Sequence, residues 1–202
     1  NANQIWILSM GFLVVWMNAG FAMLETGSVP HKVAVNILFK NLAVIGIGGL
    51  GHMALQFAKA WGCEVTALTT NLSKAEDARH FGAHHVVALE QLGNLPGRFD
   101  LVINTVNHAL PWGKVMAALA PRGRLHQLGA VLDPIQIGAF ELIRGRRSII
   151  GSATSSPASL MKMVEFCVRH NIIPEVEHLP MERINEAVER LRKGDVRYRF
   201  VL

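Results

Sequence analysis

The sequence predicts an α/β fold, a doubly wound parallel sheet preceded by an apolar N-terminal helix. Three observations carry that prediction. From Leu42 onward, short apolar runs rich in β-branched residues alternate with amphipathic stretches, the pattern of parallel strands joined by crossover helices. The first run leads into Gly46-Ile47-Gly48-Gly49-Leu50-Gly51, a GxGxxG turn between strand and helix. Upstream, residues 1–24 contain no Asp, Glu, Lys, Arg or His.

The chain has 202 residues, enough for one domain of ordinary size with an appendage. Its only cysteines, Cys63 and Cys167, lie 104 positions apart, which excludes a disulfide scaffold and a CxxC zinc finger. A net charge of +5, from 20 basic and 15 acidic residues, suits an anionic ligand. The charges are mixed along the chain without a polybasic block, so nucleic acid is not an expected partner. Mean hydropathy is positive, and the excess is concentrated at the N-terminus.

Ile5 to Leu24 runs for 20 positions with only Ser9 and Asn18 as clearly polar interruptions. A bilayer core needs about 20 apolar residues as helix, so the run reads as a membrane span, with a buried helix as the alternative. Membrane contact through residues 5–24 is therefore expected. It lacks the basic n-region and A-x-A site of a secretory signal. Lys32 and Lys40 follow it, so the positive-inside bias places the rest of the chain in the cytoplasm, anchored by this segment. The stretch Ser28–Leu42 opens with a Ser-Val-Pro start signal but is too poor in apolar residues to cross a membrane.

Leu42–Ile47 reads as a buried parallel strand. In the turn after it, Gly46 allows a sharp bend, Gly48 lets backbone approach a diphosphate, and Gly51 lets the next helix pack close to the strand. The helix covers Leu50–Trp61; its first amides, near Gly49 and Leu50, and its dipole favour a phosphate. A second strand, Glu64–Leu68, ends in Thr69-Thr70-Asn71-Leu72-Ser73-Lys74. An acidic residue at this tip would bind a ribose 2′-OH, as for NAD. Here hydroxyl and amide side chains and Lys74 suit a 2′-phosphate instead, so Thr69, Thr70, Asn71 and Lys74 favour NADP. Ser73 is also a candidate cap of the helix Lys74–Phe81.

Strands are then expected at His85–Leu89 and at Phe99–Thr105, the second after a Pro96-Gly97 turn. A helix over Leu110–Leu119 is stopped by Pro121-Arg122-Gly123, and a strand covers Arg124–Leu128. A short helix near Ala139–Ile143 and a strand at Ser148–Ile150 follow. Ser155-Ser156-Pro157 opens a helix whose face Leu160, Met163, Val164 and Cys167 is expected in the core. The last helix carries Ile184, Val188 and Leu191 and ends at Gly194, and Tyr198–Leu202 closes as a strand.

Two resemblances divide the chain into residues 1–41 and 42–202. Gly20–Val29 (GFAMLETGSV) and Asn36–Leu42 (NILFKNL) resemble the first membrane helix, and the start of the second, of ammonium transporters, departing at Pro30 and Val33. One span cannot enclose a pore, and the transporter's conduction histidines belong to later helices.

From Leu42 onward the chain resembles the cofactor-binding (Rossmann) half of a zinc-dependent medium-chain alcohol dehydrogenase, of the cinnamyl-alcohol-dehydrogenase-like branch. The resemblance rests on Ala43–Gly62, Val65–Lys74, Phe99–Val106, Gly123–Val131, Arg146–Ser152 and the terminal INEAVERLRKGDVRYRFVL. It implies NADP as cofactor and hydride exchange between aldehydes and primary alcohols. It also implies roles for single residues: Thr105 and Val106 near the nicotinamide ribose, Gly129 and Val131 near the carboxamide, Ser152 nearby, Arg197 toward the pyrophosphate. For Val106 and Val131, plain sheet core is the other reading. It further implies a homodimer through the sheet edge near Ser148–Ile150.

The family's catalytic zinc ligands and four-cysteine lobe lie upstream of the glycine turn, where this chain carries the transporter-like segment. A catalytic zinc wants about three protein ligands. Cys63, Cys167 and the nine histidines offer no such spacing, so zinc, expected of the family, has no ligands here and no catalytic residue is assigned. The expected function is NADP(H) binding by an alcohol-dehydrogenase-like oxidoreductase domain that is inactive alone. The alternatives are a membrane-tethered NADP-binding module and an ammonium-transporter fragment. The junction near Asn41/Leu42 has the look of a chimera, whether by gene rearrangement, assembly error or design.

Overall fold

The computed structural model describes residues 41–152 and 154–202. The apolar run Ile5–Leu24 and the transporter-like stretch Gly20–Val29 lie outside the described residues. Among the described residues no helix is long and apolar enough to cross a membrane.

Eight strands and six helices of more than one turn follow in order along the described chain: β1 Asn41–Ile45, α1 Gly51–Ala60, β2 Glu64–Thr69, α2 Ala75–His80, β3 His85–Ala88, β4 Phe99–Asn104, α3 Trp112–Ala118, β5 Leu119–Gln127, α4 Ala139–Ile143, β6 Ser148–Gly151, α5 Pro157–His170, β7 Glu177–His178, α6 Ile184–Arg192 and β8 Phe200–Val201. Six of the strands form one sheet in the order β3-β2-β1-β4-β5-β6, every pairing parallel. The chain winds outward from β1 in one direction and from β4 in the other. The two central strands therefore leave a crevice at their carboxyl ends, where open α/β sheets bind ligands.

The apolar runs explain the two-sided burial. In β1 the alternate residues Ala43 and Ile45 join one core with Leu68, Val102, Leu125 and Met116. Leu42 and Val44 join the opposite core with Leu55, Ala58, Val65 and Phe81. Period-two alternation thus feeds both faces, and continuous hydrophobicity marks a strand covered on each side. Burying each such side chain contributes roughly 1.5–3 kcal/mol. Helix α1 buries Leu55 and Ala58 one turn apart and ends where Gly62, at φ +76°, takes the left-handed conformation that closes helices.

Four expectations need correction. The cap before α2 is Asn71 rather than Ser73: a 3₁₀ turn, Leu72–Lys74, precedes the helix, and the Asn71 side chain accepts from the Ser73 amide at 2.9 Å. The Pro121-Arg122-Gly123 turn does not separate a helix from a strand. It lies inside β5, which starts at Leu119, and Arg122 at φ +64° makes a bulge after which pairing resumes at Leu101↔Arg124.

The face of α5 is not core either: Leu160, Met163 and Val164 are 39–48% exposed. The helix is instead held by Phe166, which stacks on Phe57 at 5.9 Å and meets Trp61 at 5.8 Å. Finally, Tyr198–Leu202 does not extend the main sheet. Only Phe200–Val201 is strand, and it pairs in parallel with Glu177–His178 as a separate ribbon. Tyr198 anchors that ribbon, its ring 5.1 Å from His52 and 5.2 Å from Phe81, its hydroxyl donating to Asp77 at 2.6 Å.

Candidate functional site

The glycine turn sits at the crevice between β1 and β4. Gly46 takes φ +94° and its amide donates to Leu68 O at 2.9 Å, which bends the chain immediately after the strand. A side chain there would meet Val106 Cγ1 at 2.6 Å. A Cβ on Gly51 would land inside the Gly46 carbonyl, so this close helix–strand approach needs glycine. Gly48 has nothing within 4 Å of where its Cβ would stand, so that side of the residue is open. Helix α1, ten residues long, begins with no side chain capping its first turn. Uncapped amides at a helix N-terminus favour an anion.

A cleft of about 390 Å³ opens on this turn. Gly46 and Gly48 form its floor, Thr69, Thr70, Asn71 and Lys74 one wall, and Thr105 and Val106 the other. The β2 tip is self-braced: the Thr69 hydroxyl accepts from the Asn71 amide at 3.1 Å and donates to its carbonyl at 3.2 Å. Lys74 lies over the Tyr198 ring with Nζ 5.8 Å from the centroid. The Thr105 hydroxyl donates to Ile45 O at 2.8 Å, tying the β4 end to the glycine turn. Asn107, His108 and Gly194, which the sequence reading did not assign to the site, also line the cleft.

The other predicted residues lie around this cleft rather than in it. Gly49 and Leu50 border an adjoining groove with Tyr198 and Arg199. A Cβ on Gly129 would strike the Val106 carbonyl, so the two loops are in direct contact. Val131 is partly buried and packs against one core cluster, as does Val106. Ser152 Oγ hydrogen-bonds His126 Nε2 at 2.9 Å at the end of β6. The Arg197 side chain pairs with Asp77, while Arg199 is the arginine on the turn, its Nε donating to Gly49 O at 3.2 Å.

His52, Asn104 and Gln127 were not assigned to the site by sequence. His52 is fully buried at the start of α1. Its Nδ1–H donates to Gly48 O at 3.0 Å, and Nε2 accepts from the Glu175 amide at 3.2 Å. Burial holds its pKa below the usual imidazole value, with Arg199 pushing the same way and Glu175 against. Burial and the bond to Asp77 push the Tyr198 phenol up. In the terminal ribbon the Arg197 amide and Arg190 hold Glu177 below the usual carboxylate range.

Among the described residues no three of His, Cys, Asp and Glu converge to hold a metal ion. Burial pushes the Cys63 thiol up, away from the thiolate a metal needs.

The six-stranded order and the glycine turn at its switch point define a dinucleotide-binding α/β domain. Residues 49–169 match the family model described as zinc-binding dehydrogenase, and the chain belongs to that family. It is 45% identical over 165 residues to the aldehyde reductase AdhA of Synechocystis sp., a match covering 80% of this chain and 49% of that protein. It is 42% identical over 166 residues to NADP-dependent alcohol dehydrogenase C 1 of Mycolicibacterium smegmatis, covering 81% and 48%. Among solved structures, cinnamyl alcohol dehydrogenase from Sorghum bicolor superposes with a TM-score of 0.77 at 33% identity, covering 89% of this chain and 52% of that one. The chain thus spans about half the length of these relatives.

Proposed function

We propose that this chain is the NADP(H)-binding half of an alcohol-dehydrogenase-like oxidoreductase, inactive toward aldehydes by itself. The observation that carries the reading is the β2 tip beside the glycine turn: Thr69, Thr70, Asn71 and Lys74 line the cleft, and among the described residues no carboxylate does. A ribose 2′-phosphate would find one ammonium and several uncharged donors there. The diphosphate would lie on the amides at Gly48, Gly49 and Leu50, and the second nucleotide half over Thr105 and Val106. The name of the Mycolicibacterium smegmatis relative supports NADP. Arg199, on Gly49 O, adds positive charge beside the diphosphate position. Bound NADPH would supply the hydride for reduction of an aldehyde, and the residues of this cleft would bind and orient it.

The test is a titration that follows quenching of nucleotide fluorescence by the full chain. Binding of NADPH in preference to NADH is expected. Lys74→Ala should remove about tenfold of NADPH affinity, the weight of one charge-assisted hydrogen bond, and leave NADH unchanged. Equal binding of the two cofactors would overturn the choice of NADP.

Two additions belong to the same reading. The open edge of β6, with Ile150 37% exposed, supports a homodimer, checked by light scattering. The charge-free run Ile5–Leu24 favours a membrane-tethered form of this module. Flotation with liposomes, lost on deleting residues 1–24, would support tethering; flotation unchanged by the deletion would refute it.

A further inference from the structure

Asn104 is the last residue of β4, fully buried, and it faces Gln127, its register partner at the end of β5. The Asn104 Oδ1 accepts from the Val106 amide at 3.2 Å, and Nδ2 donates to Gln127 Oε1 at 3.0 Å and, at 3.4 Å, to Val106 O. Gln127 Nε2 in turn donates to Gly129 O at 2.5 Å. The Asn104 carbonyl accepts from both the Leu128 amide, at 2.9 Å, and the Gly129 amide, at 3.0 Å. One pair of amide side chains therefore fixes the peptides of both loops that leave the sheet at β4 and β5. Those loops touch, since no atom fits between Gly129 Cα and the Val106 carbonyl.

The pair is a complete donor–acceptor circuit that no hydrophobic or charged substitute reproduces. An aspartate at 104 would lose the donor to Gln127, and a glutamate at 127 would lose the donor to Gly129. Buried polar networks of this kind rigidify when every member is satisfied and are costly when one is removed. Thr105, between Asn104 and Val106, carries the brace to the glycine turn through Ile45 O.

We propose that Asn104 and Gln127 are positioning residues for the nicotinamide half of the cofactor: they hold the Val106 and Gly129 peptides as a preformed platform beyond β4 and β5. The inference rests on the dinucleotide reading above, which lays the second nucleotide half over Thr105 and Val106, in contact with the Gly129 loop. Neither residue touches the adenosine wall at Thr69–Lys74. The pair therefore acts on one end of the ligand only, unlike a residue that merely stabilises the fold.

The test compares two nucleotides on the full chain by calorimetry. NADPH carries the nicotinamide, and 2′-phospho-ADP-ribose shares everything else. Gln127→Glu, at a half-buried site, is the main variant, and Asn104→Asp the second. Each is expected to weaken NADPH about tenfold, the effect of one lost hydrogen bond to a constrained group, and to change 2′-phospho-ADP-ribose less than twofold. Equal weakening of both nucleotides, or no loss of NADPH affinity in Gln127→Glu, would overturn the inference while leaving the dinucleotide reading intact. Failure of the wild-type chain to bind either nucleotide would remove both.

Discussion

Gly51 is where one missing methyl group decides most. Its backbone lies against the Gly46 carbonyl so closely that any Cβ overlaps it. Gly51→Val should therefore push α1 off β1, lower the Tm and abolish NADPH binding; a variant of unchanged melting temperature and affinity would show that the turn is looser than described. His52 carries a pH effect of definite sign. Unfolded, the imidazole titrates near its ordinary value of about 6.5. In the folded chain burial depresses that value, so the native state takes up its proton only at lower pH. Stability is then complete above about pH 6.5 and declines as pH falls toward and through the folded pKa, because protonation costs Nε2 its role as acceptor for the Glu175 amide. Denaturant midpoints at pH 7.5 and 5.5 should differ more in the wild type than in His52→Gln, and equal differences would contradict this assignment. The motif residues could be read from sequence because their roles are fixed by local geometry. Asn104 and Gln127 could not: nothing in one strand announces which residue of the next will stand in register with it.

At the scale of elements, sequence reading succeeded where burial is two-sided. Strands β1, β2 and β4 lie between two cores, so their hydrophobicity is continuous and unambiguous. It failed where an element has a single partner. The apolar side of α5 has the spacing of a core face, yet only Phe166 finds aromatic company on α1. Val164→Glu should thus change stability by no more than about 0.5 kcal/mol, as for surface sites. Phe166→Ala should cost clearly more, and thermal melts of the two variants that reverse this order would contradict the packing described. Strand β8 misled for a related reason. An apolar terminal run predicts a strand but not its sheet, and its partner, Glu177–His178, is too short to signal itself. The ribbon is set by side chains far apart in sequence: Tyr198 against His52 and Phe81, and Arg190 to Glu177 at 2.7 Å.

For the whole molecule, the sheet order and the position of the glycine turn follow from the alternation of apolar runs and the right-handed crossover rule. That part of the architecture was legible before any coordinate. The arrangement of residues 174–202 was not, because those contacts are tertiary. The sheet order places a crevice at the ends of β1 and β4, lined on one side by Thr69, Thr70, Asn71 and Lys74 and on the other by Thr105 and Val106. The central claim is that backbone amides at this crevice hold a diphosphate. Backbone ¹H–¹⁵N spectra of the full chain, titrated with NADP⁺, test it most directly. The account predicts the largest shifts at Gly48, Gly49 and Leu50, with a second group at Thr69–Lys74 and a third at Thr105 and Val106. Saturable shifts that spare residues 46–51, or none at millimolar NADP⁺, would contradict it.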